Sequence, residues 1–141
     1  MKSAFQEFNR IDGQIGSIYH EIAVKMGLSD SELWILYVLV TNEPQLPQSE
    51  LIKVTGMNKT TVNSALKKME REGTVELTPG SGRSTCVTLT EAGNLLAERT
   101  VCRLVNMENR LFQSWSPEER STLIRLNRDY ADKLAALVKT L

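Results

Sequence analysis

Apolar positions along this chain change their spacing several times, and each change marks an element. Phe8, Ile11, Ile15, Ile18, Ile22 and Met26 recur every three or four residues, the stripe of a helix that packs along one face. After Gly27, Ser29-Asp30-Ser31-Glu32 reads as a capping box opening a second helix that runs to about Thr41. That helix carries the longest apolar run, the eight residues from Leu33 to Val40, far short of the ~20 needed to cross a bilayer. Asn42 to Pro47 is expected to be a plain connection.

The next stretch packs four signals into about forty residues. A short helix is predicted over Gln48 to Thr55, and Gly56 supplies the positive φ that lets the chain leave it sharply. Asn58 then caps another helix, in which Val62, Ala65, Leu66 and Met69 form the buried stripe. Gly73 ends that helix. Thr74 to Leu77 and Cys86 to Leu89 alternate, placing Val75, Leu77, Val87 and Leu89 on one face of a hairpin whose tip is Pro79-Gly80-Ser81-Gly82-Arg83. The helix after Asn58 turns amides, hydroxyls and cations outward: Thr60, Asn63, Ser64, Lys67 and Arg71, with Lys59 at the first turn. Such a face suits a major groove, where base-edge acceptors lie between two rows of phosphates. A solvated helix face looks similar when taken alone. The adjoining two-stranded wing, with an arginine at its tip fit for a narrow minor groove, favours the DNA reading. The candidate DNA-binding residues are Asn58, Lys59, Thr60, Thr61, Asn63, Ser64, Lys67 and Arg83.

Thr90 is expected to cap a fifth helix of roughly 25 residues, and Ser116-Pro117-Glu118-Glu119 to open a sixth, with serine at the cap, proline in the first turn and glutamate three on. In that last helix Leu123, Leu126, Tyr130, Leu134, Leu137 and Leu141 repeat at three or four. A small reader offers little surface for apolar seams this long at both ends, so a second copy of the chain is expected to bury them. An intramolecular bundle is the alternative. The pattern thus predicts a mainly α chain with a small β-hairpin wing. The winged helix-turn-helix (29–90) is flanked by an N-terminal dimerisation helix (1–28) and C-terminal dimerisation helices (91–141) in one compact structural unit.

Composition fits a single cytoplasmic domain: 141 residues with no low-complexity stretch, signal peptide or membrane span. Net charge is zero, which by itself argues against a nucleic-acid partner. Its distribution reverses that inference. Residues 1–52 balance to −4, residues 53–83 to +3 and residues 84–141 to +1, so the positive excess falls on the reader while the acidic remainder discourages indiscriminate binding.

Candidate chemistry adds little beyond this. Cys86 and Cys102 have no Cys-x-x-Cys spacing and read as small hydrophobes. His20 is the only histidine, so no metal site and no cofactor is expected. An enzyme needs a nucleophile with its base, paired carboxylates or a metal, and none of these constellations is visible. Trp34 and Tyr37 on the second helix, with Tyr19 and His20 on the first, are candidates to line a pocket for a small aromatic effector; core or interface packing accounts for the same residues. A winged-helix module that binds another protein, without ligand control, is the competing reading.

Several strings resemble the MarR family of bacterial transcription regulators: Gln48-Ser49-Glu50-Leu51, Thr60-Thr61-Val62 with Leu66, Glu70-Arg71-Glu72-Gly73, and Val87-Thr88-Leu89-Thr90-Glu91-Ala92-Gly93. The resemblance covers nearly the whole chain. It implies a homodimeric repressor on a pseudo-palindromic double-stranded DNA operator, released when a small, often phenolic, molecule binds between the dimer helices and the winged domain. Two departures stand out. Ser64 occupies a position where members often carry arginine, which shifts base readout toward Asn63, Lys59 and Lys67. The wing tip keeps only Arg83 of the usual acidic residue and two arginines. The first helix also lacks the cysteine of the redox-sensing branch, and one histidine cannot supply the zinc-sensing branch.

Overall fold

The computed structural model describes residues 3–42 and 45–141. Ser3 caps α1 (Ala4–Lys25) through a full capping box with Gln6. Ala23 is the only buried residue of this helix. Phe8, Ile11, Ile15 and Ile18 are all more than two-fifths exposed.

Ser29 caps α2 (Asp30–Thr41) by accepting from the Glu32 N–H at 3.2 Å. The expected capping box forms only by half. The Glu32 carboxylate accepts from the Ser29 hydroxyl and from Lys68 Nζ instead of returning to the Ser29 N–H. Leu33, Ile35, Leu36, Val38 and Leu39 are buried, and α2 packs on α1 and on the three later elements α3 (Gln48–Thr55), α4 (Lys59–Arg71) and α5 (Glu91–Arg99). A helix apolar nearly all round is stable only at the centre of a domain. Leu51, Val62, Leu66, Met69, Val75 and Val87 are among the other buried core residues.

The sheet has three strands where a hairpin was expected. β1 (Gln45–Pro47), β2 (Val75–Pro79) and β3 (Thr85–Leu89) are antiparallel in the order β1-β3-β2. Pairing of Val75 with Leu89 and Leu77 with Val87 puts the four apolar residues on one face as anticipated. The surprise is β1, which pairs Leu46 with Val87 and occupies part of the presumed connection Asn42 to Pro47. Residues 43 and 44 of that connection lie outside the described residues.

A compact set of hydrogen bonds fixes the wing to the end of α4. Gly73 (φ 78°) donates to Glu70 O, and Thr74 donates to Met69 O, the paired closure of a Schellman end. The Thr74 carbonyl in turn accepts the Thr90 N–H at 3.1 Å, and the Thr90 hydroxyl donates to Gly73 O at 2.6 Å. The same hydroxyl oxygen caps α5 by accepting from the Gly93 N–H. Gly93 sits directly against the Thr74 carbonyl, where a Cβ would collide with backbone. One knot therefore joins the reading helix, both long strands and α5.

The long fifth helix is interrupted. α5 ends at Arg99, Thr100 adopts φ −124° and ψ −93°, and α6 (Val101–Gln113) follows. The Thr100 hydroxyl donates to Leu96 O at 2.7 Å while its N–H goes to Ala97 O. Back-bonding of this kind bends helices, and the apolar spacing carries no trace of it. α7 (Pro117–Val138) starts with the full Ser116–Glu119 box anticipated; Leu141 lies beyond its end. The chain divides into two compact units, one reaching to Arg103 and one of Leu104–Leu141. Within the second, α7 has no buried residue.

Candidate nucleic-acid interface

α4 begins where the Asn58 side chain accepts the Thr61 N–H at 2.8 Å. Gly56, in the left-handed region at φ 71°, sets the angle between α3 and α4. With Val62, Leu66 and Met69 buried and Ala65 half-buried, the phase of α4 is fixed, and its polar residues divide between two flanks.

On the wing flank, Lys59, Asn63 and Arg83 line one groove of about 340 Å³ with Gln48, Ser49, Ile52, Ser84 and Thr85. The structure thus brings a reading-helix cation, a reading-helix amide and the wing arginine into one concavity. On the α2 flank, Thr60, Thr61 and Ser64 line a second depression of about 430 Å³ with Ser29, Ser31, Glu32, Ala65 and Lys68. Lys67 is exposed and lines neither. Among the described residues Lys59, Lys67 and Arg83 have no ion pair, so their charge is available to an anionic partner.

Lys68 behaves differently from its neighbour. Its Nζ lies 2.9 Å from Glu32 Oε1 and 3.8 Å from Glu72 Oε1. The hydrogen bond and charge of Glu32, with Glu72 behind, push the Lys68 ammonium above its ordinary range. One cation of the basic reader segment is therefore spent on seating α4 against α2.

Sequence reasoning left Gln48 and Ser49 out of the candidate site. Pro47 stands at the N-cap of α3 and makes no side-chain cap bond, so the first N–H groups of this helix have no side-chain acceptor and present a partial positive charge. The Gln48 amide nitrogen donates to the Asn63 amide oxygen. The visible signal was a pair of polar residues opening the first helix of the reader, directly after a proline.

The aromatic quartet is split. Trp34 and Tyr37, with ring centroids 5.5 Å apart, line a cavity of about 280 Å³ together with Val38, Val54 and Thr55. Tyr19 packs against Trp34 at 5.1 Å and is absent from the cavity lining. His20 is turned away to Asp30, with Nδ1 2.9 Å from Oδ1. Both cysteines are free and half-buried. Among the described residues no cluster of metal-ligating side chains occurs, and no helix is long and apolar enough to cross a membrane.

Residues 26–84, which span the central helix, the reading helix and the wing tip, match the model of the MarR family. A MarR family transcriptional regulator from Silicibacter pomeroyi is 28% identical and superposes with a TM-score of 0.74 over 92% of this chain and 88% of its own. A MarR family regulator from Streptomyces coelicolor, solved in complex with DNA, is 19% identical, with a TM-score of 0.72 over 95% of this chain and 90% of its own. NadR in complex with 4-hydroxyphenylacetate is 17% identical, with a TM-score of 0.73 over 93% of this chain and 94% of its own. At these last two identities the likeness shows the fold. No protein with a curated description matches. The family's model is thus matched across the reader, and the fold is shared over nearly the full length with MarR family winged helix-turn-helix transcriptional regulators.

Proposed function

We propose that this protein is a sequence-specific repressor that binds a pseudo-palindromic operator as a homodimer in the cytoplasm and is released by a small aromatic effector. One observation carries the reading. Lys59 and Asn63 of the reading helix and Arg83 of the wing line a single groove at the uncapped start of α3. α4 would enter the major groove through Lys59, Thr60, Asn63, Ser64 and Lys67, while Arg83 follows the adjacent minor groove or backbone. Asn58 and Thr61 hold the start of α4 in the conformation this requires.

Homodimerisation is supported by the exposed apolar faces of α1 and α7. Phe8, Ile11, Ile15 and Ile18 on one, and Leu123, Leu126, Tyr130, Leu134 and Leu137 on the other, are each 38–64% exposed, and rows of large apolar side chains this exposed mark interaction surfaces. Residues 1–28 and 91–141 would then serve as dimerisation elements around the 29–90 reader. The cavity against Trp34 and Tyr37 suits a single-ring effector, being just below the ~300–1,000 Å³ of sites for larger ligands. The NadR complex, with its 4-hydroxyphenylacetate, gives a ligand class to try first.

A gel-shift titration with the DNA upstream of the protein's own coding region tests the reading. A discrete complex that survives a large excess of unrelated duplex is expected. Equal competition by unrelated duplex would overturn sequence-specific binding.

A further inference from the structure

A further concavity, of about 450 Å³, lies between the end of α2, the end of β3 and α5, and it shares no residue with the three already described. Its volume falls within the ~300–1,000 Å³ of small-molecule sites. The buried Leu39 and Ala97, with half-buried Leu89, give it an apolar floor. Asn42, Thr88, Asn94 and Glu98, drawn from all three elements, supply the polar part of the lining.

The electrostatics of this concavity are one-sided. Glu98 is the only charged residue of the lining, and among the described residues it makes no ion pair. A second carboxylate stands close by, because Glu76 is the cross-strand partner of Thr88 and projects from the same face of the sheet. The Asn42 amide is fixed by its chemistry. Its nitrogen donates at 2.8 Å to the Val38 carbonyl, a group that can only accept, so the oxygen edge is the one left over. An anion would meet like charge here with no lysine or arginine in the lining to offset it, whereas an ammonium finds a carboxylate and further oxygen acceptors for its N–H donors.

We infer that this concavity is a binding site for a small organic cation, an alkyl- or arylammonium whose charged head pairs with Glu98 and whose hydrocarbon body covers Leu39, Leu89 and Ala97. The assignment does not depend on the DNA-reading function proposed above. Its place in the fold gives it reach, since a Leu89 methyl lies beside Gly93 at the knot that aims the wing.

The test is a titration of the full-length, isotope-labelled protein with benzylamine, protonated at neutral pH, followed through backbone amide shifts in two-dimensional NMR. Saturable shifts are expected at Leu89, Ala97, Glu98 and Cys102, with none of comparable size at Trp34 or Val54, which line the other cavity. Benzyl alcohol carries the same ring without the charge and should bind about fivefold more weakly, the upper end for a solvent-exposed ion pair. Glu98→Gln keeps the shape and removes the charge; it should weaken benzylamine by that factor and leave benzyl alcohol unchanged. The same spectra show that the variant is folded.

Shifts that fail to saturate at millimolar benzylamine, shifts confined to the Trp34 cavity, or equal affinities for benzylamine, benzyl alcohol and benzoate would each overturn the inference. So would a Glu98→Gln variant that binds benzylamine as tightly as the wild type.

Discussion

Lys68 Nζ and Glu32 Oε1 meet at 2.9 Å across the contact between the reading helix and the central helix. Glu32 is 5% exposed, so its carboxylate, hydrogen-bonded by the Ser29 hydroxyl, depends on this ammonium for its opposite charge. Lys67, one residue earlier, points to solvent. Neighbouring lysines therefore have separate roles, and a variant of each separates them.

Lys68→Met should lower the thermal midpoint and leave the salt dependence of DNA binding unchanged; Lys67→Met should do the reverse. The sign of the pH effect follows from the raised Lys68 pKa. Its stabilisation is complete below the ordinary value of 10.5 and is lost as pH rises through the higher folded-state value. Melting curves above pH 10.5 should thus converge for the wild type and Lys68→Met, having been separate at pH 8.

Arg83→Ala should weaken operator binding and flatten its dependence on salt by about 0.9 of a log–log unit for each phosphate that the arginine neutralises. Melting should not change, because Arg83 has no ion pair within the described residues. Affinity measured from 50 to 200 mM salt checks this; an unaltered slope and affinity would mean that the wing stays clear of DNA.

Gly93→Ala tests the knot between wing and reading helix. The added Cβ meets the Thr74 carbonyl, a backbone atom that already accepts the Thr90 N–H, so neither side can yield without breaking a hydrogen bond. Destabilisation of about 1–3 kcal/mol is expected, read from urea unfolding.

Glu119 holds the start of α7 by accepting the Ser116 N–H at 2.8 Å. That bond and the Ser116 hydroxyl keep its carboxyl below the usual range. A depressed carboxylate stabilises above its ordinary pKa of 4.5 and loses that contribution as pH falls through the lower folded-state value. Hydrogen exchange in the first turn of α7 should speed up relative to the helix middle as pH falls below about 4.5, and Glu119→Ala should show the faster relative exchange already at pH 6.

Effector control predicts that 4-hydroxyphenylacetate, or a related aromatic carboxylate, quenches Trp34 and weakens operator binding together. Linkage requires operator DNA to lower effector affinity by the same factor. Trp115, 5.7 Å from Phe112, adds its own emission, so a Trp115→Phe background isolates Trp34. Quenching with no loss of DNA affinity would separate the cavity from control of the reader.

Elements written in local chemistry were legible before the structure. The bounds of α3, the Asn58 and Ser116 caps and the facing of Val75, Leu77, Val87 and Leu89 each follow from residues within a turn or a strand of one another. Features that depend on distant partners were hidden. β1 is three residues long and exists because Leu46 finds Val87, forty-one positions away. The break at Thr100 depends on one hydroxyl reaching Leu96 O, while the apolar repeat runs on through it. The hydrogen bond between Gln48 and Asn63 depends on how α3 crosses α4. Lys59, Asn63 and Arg83 could be named from the sequence, but their convergence on one groove follows from the Gly73–Thr90 knot that aims the wing.

The most direct test is a hydroxyl-radical footprint on the DNA upstream of the protein's own coding region. A homodimer carrying two identical readers should protect two patches, centred one helical turn of about 10 bp apart or a whole multiple of it, with weaker protection beyond each where Arg83 meets the flanking groove. A single patch, or no protection at concentrations that saturate the gel shift, would contradict the account.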